Sequence, residues 1–340
     1  MTRKIVVAGT NVRNVAESAK KAGWMVFAVT KYDDVDLRLY ADKVVRVDNR
    51  KEAEKAVKEL SEHYNAPVVL STGFEDLRVD NIIGNVDKRT LDKRKFYRTL
   101  EKAGIPYPEF SDGPYIVKPR RGGGGVGVFL SDSPLNSEEY VCQRYVQGTL
   151  CSASLLCGKN TVVVTLNHLF SGWREMNAPG FMYSGNVTPF LCNQELKKEI
   201  CRIAVETVEL FDLLGNVGVD FVVSDKPYVL EVNPRFQGSL DSIEWSLGVN
   251  LFSMHVASCE GKAVEIPKPK RFAARAILFA EKDIRLNISA TCPFFADIPP
   301  RGAKVEKGEP ILSILASGIS VEDVVNKVIE RKKLAYAMQL

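Results

Sequence analysis

A chain of 340 residues, 45% hydrophobic and 26% charged, holds enough apolar material for two or three packed domains and is too long for one small module. Its 46 basic and 42 acidic residues leave a net charge of only +4, which argues against a protein devoted to nucleic acid. No apolar run reaches the roughly 18–20 residues of a membrane span, and strand-like sequence begins within the first residues, so neither a membrane anchor nor a secretion signal is expected.

The seven cysteines form no Cys-x-x-Cys pair and the three histidines stand singly. Reduced thiols in a cytoplasmic protein are the expectation, rather than a disulfide scaffold, a zinc finger or a His-based metal site.

Residues 1–85 read as an α/β unit. Short apolar runs at Ile5–Ala8, Met25–Val29, Val44–Val47 and Pro67–Leu70 alternate with helical spacing, as from Val12 to Ala22, where Gly23 supplies the stop. That alternation predicts a parallel sheet with right-handed crossovers. The full Gly-x-Gly-x-x-Gly fingerprint is absent after the first strand, so a tight turn is expected there rather than a dinucleotide site. The Asp33–Asp36 cluster reads as a solvated acidic loop, with ligand contact the less common meaning.

From Asp87 the character changes. Residues 88–121 hold ten Lys or Arg against four Asp or Glu, and the run leads directly into Arg120-Arg121 and the glycines 122–125. The strand Tyr115–Lys118 precedes those glycines. Consecutive glycines are costly in a helix or strand, but their backbone N–H groups can curl round an anion. Lys118, ending the strand, would put an ammonium beside the phosphates. The order differs from a P-loop, because no Gly-Lys-Ser/Thr follows.

Residues 216–233 carry two strand runs about a tight Asp225-Lys226 turn, which predicts a hairpin pairing Ser224 with Pro227 and Asp220 with Glu231. One face then holds Val219, Phe221, Val223, Tyr228, Leu230 and Val232. The other holds Asp220 and Glu231, with Val222, Val229 and Asn233. Two carboxylates directly opposed on one sheet face repel. A divalent cation between them removes the penalty, and oxygen-only donors point to Mg²⁺ or Mn²⁺. The alternative is a carboxylate bonded to Lys226 or Arg235. A basic cradle beside a two-carboxylate site is what a nucleoside triphosphate requires.

Taken together, these motifs resemble the ATP-grasp superfamily, in its archaeal-type, carboligase-like branch related to biotin carboxylase and carboxylate–amine ligases. The resemblance covers nearly the whole chain. It implies α/β and α+β architecture: an ATP-grasp fold with an N-terminal pre-ATP-grasp α/β domain (1–86), a lid subdomain with the glycine-rich loop (87–147), and a large subdomain with the metal-binding hairpin and a C-terminal extension (148–340). It makes Lys93 and Lys118 the phosphate lysines and Gly122, Gly123, Gly124 and Gly125 the lid. The hinge Gln143, Arg144, Tyr145 and Val146 would meet the adenine edge, with backbone contacts at Arg144 and Val146. Asp220, Glu231 and Asn233 become the metal ligands, and Arg235 stabilises the transferring phosphoryl group. Gly185-Asn186 and Pro189 look like a loop that shapes the site.

The sequence departs from the family in three places. Gln143 stands where a glutamate is common, residues 148–152 lack an acid for the ribose, and Gly238-Ser239 replaces the catalytic glutamate of biotin carboxylases. The implied cofactors are ATP and Mg²⁺ (or Mn²⁺), and the implied partners are a small-molecule carboxylate and an amine, with a homodimer left open. The reading is an ATP-dependent ligase that activates the carboxylate as an acyl-phosphate, with Arg174, Glu175, Tyr183 and the residues round Ser239 as candidates for shaping the pocket, and a surface ion pair as the equal alternative for Arg174. Asp241 or Glu244 is available as a base. The rivals are a biotin-carboxylase-like carboxylase, a nucleotide-binding regulatory protein without turnover and, last, an oxidoreductase.

Overall fold

The computed structural model describes residues 2–110, 113–287 and 292–337. Its first part runs β1 (Lys4–Gly9), α1 (Arg13–Lys21), β2 (Met25–Thr30), β3 (Lys43–Arg46), α2 (Arg50–Tyr64) and β4 (Val68–Leu70). These four strands form a parallel sheet in the order β3-β2-β1-β4. The parallel arrangement and the element positions agree with the alternation in the sequence. Asn49 caps α2 by accepting from the Glu52 N–H at 3.0 Å, and Glu52 reaches back to the Asp48 N–H at 2.9 Å. The chain leaves β1 on one side through β2 and β3 and returns on the other as β4. The strand order therefore reverses between β1 and β4, and such a crevice at the carboxyl ends of the strands is where open α/β sheets bind ligands.

Next come α3 (Lys93–Ala103), β5 (Tyr115–Pro119), β6 (Phe129–Ser131) and β7 (Tyr140–Arg144), the strands forming an antiparallel sheet ordered β6-β5-β7. Asp92 caps α3 and also receives the Arg120 guanidinium at 2.7 Å, so one carboxylate ties the helix start to the far end of β5.

The rest comprises β8 (Thr149–Cys157), β9 (Val162–Ser171), β10 (Tyr183–Thr188), α4 (Gln194–Glu209), β11 (Gly215–Val223), β12 (Pro227–Asn233), α5 (Leu240–Leu247), α6 (Leu251–Cys259), β13 (Phe272–Phe279), β14 (Ile284–Arg285), β15 (Phe295–Ala296), β16 (Lys304–Val305), β17 (Pro310–Gly318) and α7 (Val321–Ala337). Eight of these strands form an antiparallel sheet, β12-β11-β8-β9-β10-β13-β17-β15. One face of its hairpin end buries Val217, Val219 and Phe221 against Phe96 and Tyr97 of α3 and Ile200 and Ile203 of α4. A second core packs Val15 and Ala19 of α1 against Ile243 of α5 and Phe252 of α6, and so joins the parallel sheet to the large one. Among the described residues no helix is long and apolar enough to cross a membrane.

The acidic cluster after β2 differs from the solvated loop expected. Asp36 is buried and accepts from the backbone N–H groups of Asp297 and Ile298, both at 2.9 Å, while Asp34 accepts from Asn11 at 2.8 Å. Arg13, also buried, binds Asp241 at 2.7 Å and Asp297 at 3.1 Å. The cluster thus becomes part of an ionic staple between segments far apart in sequence. Burial and the neighbouring Asp297 and Asp36 push Asp34 up to about 8. Asp33 comes nearest to the expectation, half-buried and paired with the exposed Arg38.

Candidate active site

The hairpin β11–β12 places Asp220 directly opposite Glu231, as its alternation predicts. The turn is different. Val223, not Ser224, pairs with Pro227, and the register shifts back at a bulge beyond Phe221, which pairs with Val229. Leu230 is therefore the extra residue of β12. Val229 enters the core, and Leu230 joins Glu231 on the wall of a cavity, the reverse of the expected faces.

Burial and the Glu231 carboxylate raise Asp220 to about 7. Among the described residues, neither carboxylate has a basic side chain in ion-pair range; Arg235 goes to Glu75 instead, at 2.6 Å, and Lys226 lies over the Tyr228 ring. Asn233 donates to Asp220 at 3.1 Å and accepts from Arg235 at 2.9 Å. Three N–H groups of Arg235 are thereby engaged, by Glu75, Asn233 and the Phe236 carbonyl, so two of its five donors stay available. Opposed hard oxygen donors with no internal counter-charge suit Mg²⁺.

Two cavities meet at this pair. The smaller, about 350 Å³, is lined by Lys118, Arg144, Tyr145, Val146 and the glycine loop. Lys118 is buried, donates to the Tyr97 hydroxyl at 3.3 Å, and is brought down to about 8 by desolvation and by the nearby Lys93 ammonium. Lys93 begins α3 and donates to the Gly122 carbonyl. The loop lies close over the floor: Tyr183 N–H donates to Gly124 O at 2.9 Å, and a side chain at Gly125, where φ is +77°, would overlap the Phe181 carbonyl.

Gln143 is fully buried beneath this cavity and does not line it. Its Nε2 donates to the Pro108 carbonyl at 2.5 Å, so its Oε1 faces away with no donor. Of the four expected hinge residues, Arg144, Tyr145 and Val146 line the cavity and Gln143 does not. The Arg144 and Tyr145 N–H groups are already bonded, to Glu109 O at 2.9 Å and Pro114 O at 2.7 Å, so neither amide is free for a base.

The larger cavity, about 530 Å³, shares Lys93, the glycines, Asp220 and Glu231, and extends to Arg235, Ser239, Arg275 and the crevice at the ends of β1 and β4. Asn11, Ser71, Thr72 and Glu75 supply that last wall. Sequence reading missed Glu75 and Arg275. The only local signal was that Glu75 closely follows a parallel strand end.

Several expectations need correction. Arg174 and Glu175 are exposed on a short turn and line neither cavity, unlike Tyr183, which lines both, and Ser239. Gly185 and Asn186 belong to strand β10, not to a loop, and Asn186 is buried in bonds to Ser242 and Thr188. Asp241 is clamped by Arg13, one oxygen of Glu244 accepts from the Ser18 hydroxyl at 2.5 Å and the Leu251 N–H at 2.7 Å, and neither residue lines either cavity, so neither is placed to act as a base there.

Residues 90–239 match the ATP-grasp domain family. That segment is similar to ATP-grasp domains. An uncharacterized protein of Methanocaldococcus jannaschii is 29% identical across 96% of this chain and 91% of its own length. Tyramine–L-glutamate ligase of Methanocaldococcus fervens is 28% identical over 57% of this chain and 67% of that enzyme. Among solved structures, biotin carboxylase from Campylobacter jejuni superposes with a TM-score of 0.75 at 17% identity, covering all of this chain and 92% of that one. The fold is therefore the ATP-grasp fold with a parallel N-terminal sheet.

Proposed function

We propose that this chain is an ATP- and Mg²⁺-dependent ligase that activates a small-molecule carboxylate as an acyl-phosphate and passes it to an amine, giving an amide, ADP and phosphate. One observation carries the reading: the opposed Asp220–Glu231 pair stands where a nucleotide-sized chamber opens into a larger one. On this reading the three units are 1–86, 87–147 and 148–340, with the reaction at their junction.

ATP would lie in the smaller chamber, its adenine beside Arg144, Tyr145 and Val146 and its phosphates under the glycine loop. Lys118 and Lys93 would hold the phosphate oxygens. Asp220, Glu231 and Asn233 would hold the magnesium, which neutralises charge on the phosphates during transfer. Arg235, fixed by Glu75, keeps two donors free and would use them to stabilise the charge that develops on the transferring group without reorganising. Catalysis is then positioning and electrostatics, with no nucleophilic side chain.

The test is ADP and phosphate release across a panel of small carboxylates and amines. Turnover that requires both partners and disappears in Asp220→Asn supports the reading. Turnover by carboxylate alone, or none from any pair in a protein that binds Mg²⁺-ATP, goes against it.

A further inference from the structure

We propose that the corner of the larger cavity formed by Ser239, Gly238 and Arg275 is a subsite for a second anionic group. The molecule handled there would carry a carboxylate or phosphate besides the group that reacts. This rests on the ligase reading and adds a substrate class to it.

Four observations converge on that corner. Ser239 lines the cavity and is 3% exposed, yet its hydroxyl has no hydrogen-bond partner. A buried hydroxyl left unpaired is costly, so a ligand acceptor is the simplest way to satisfy it. Ser239 also stands at the start of α5, whose first-turn amides receive no side-chain cap. An uncapped helix start presents N–H groups and partial positive charge to an anion. The acid in that first turn, Asp241, is turned away into a two-pronged bond with Arg13 at 2.8 and 2.7 Å.

Arg275 supplies the guanidinium. Its Nη2 binds Asp297 at 2.7 Å, its Nε lies 3.6 Å from Asp241, and its Nη1 is directed at the Gly238 carbonyl at 3.4 Å, a weak bond that a better acceptor can replace. Gly238 keeps the place open, because a Cβ there would come within 3.1 Å of both Arg275 Nη1 and the Tyr183 ring. Asn14, from the first turn of α1, lines the same cavity and lies 3.5 Å from the Gln237 carbonyl. The corner therefore offers hydroxyl, amide and guanidinium donors, while the adjoining carboxylates are already bound to Arg13 and Arg275. That set selects an oxyanion over a cation.

The test uses the full chain saturated with Mg²⁺ and AMP-PNP, so that the triphosphate site is filled, and measures calorimetric affinity for butyrate, glutarate and phosphoglycolate. Glutarate or phosphoglycolate should bind at least roughly tenfold more tightly than butyrate, and the better of the two identifies the second anion as carboxylate or phosphate. Ser239→Ala should lose roughly tenfold of that preference, and Ser239→Asp all of it, with AMP-PNP binding retained. Gly238→Ala, which fills the cradle and removes no charge, should also reduce it and serves if Ser239→Asp does not fold. Equal affinity for the three acids, or a preference that survives these substitutions, overturns the subsite. Failure of the wild-type chain to bind Mg²⁺-AMP-PNP would instead count against the ligase reading, and the anion series is then run on the free chain with the same criteria.

Discussion

The Asp220–Glu231 opposition makes the metal-free protein unstable in a way that one substitution can expose. Asp220 sits at about 7 in the fold against an ordinary 3.8, because burial and the Glu231 charge disfavour its ionised form. A raised carboxylate stabilises the fold fully below the unfolded value, and that contribution is lost as pH climbs through 7. Each tenfold gain in proton affinity is worth about 1.4 kcal/mol, so the rise to about 7 sets a ceiling of about 4 kcal/mol. The carboxylate's partial contact with cavity water lowers this to about 2–4 kcal/mol. Asp220→Asn keeps an acceptor for Asn233 and removes the charge. In EDTA it should match the wild type near pH 4 and exceed it by about 2–4 kcal/mol at pH 8. Urea denaturation of both proteins at pH 4, 6, 7 and 8, followed by circular dichroism, measures the difference, and contributions from other titrating groups cancel between them. Saturating Mg²⁺ should stabilise the wild type and leave the variant nearly unmoved. A variant less stable than the parent at pH 8, or a difference independent of pH, would refute the reasoning.

Lys118, brought down to about 8, should bind ATP less well as pH rises past 8 in the wild type; Lys118→Arg should flatten that profile, and Lys118→Ala should abolish turnover while circular dichroism stays native. His255 is buried, accepts the Asn216 N–H at 2.8 Å, and is pushed by desolvation down to about 4, so it must stay neutral to fold. Its contribution is present above about 6.5 and lost as pH falls toward 4, a loss of about 3 kcal/mol that His255→Asn should remove from the urea-midpoint profile. Bicarbonate alone should give no ADP release, because Ser239 and Gly238 offer no base and Asp241 and Glu244 line neither cavity; saturable stimulation, lost on degassing, would favour a carboxylase.

What could be read in the sequence was what depends on local pattern. The Lys118 strand running into four glycines, and an apolar alternation that sets Asp220 against Glu231, are properties of short segments, and the fold follows them. The bulge at Leu230 was hidden because Val229 and Leu230 are both apolar, so either order satisfies the alternation. The Asp33–Asp36 cluster misled for a different reason. Nothing within reach along the chain announces that Arg13, or the backbone at Asp297 and Ile298, will arrive to neutralise it.

The same distinction separates the chemistry from the substrate. The groups proposed to hold phosphate and metal lie on one helix start, one strand, one loop and one hairpin, where spacing constrains them. The wall of the larger cavity, where the acceptor is proposed to bind, is assembled across the joint between the parallel sheet and the large one: Glu75 reaches Arg235, Asn14 approaches Gln237, and behind them Arg13 and Arg275 share Asp241 and Asp297. That buried ionic cluster holds the joint because removing one partner strands a charge, at a typical cost of about 3–5 kcal/mol. A substitution at Arg13 is therefore a change to the acceptor wall as well as to stability, although Arg13 lines neither cavity. The acceptor pocket is a property of how the two sheets dock, and docking is decided by side chains hundreds of residues apart.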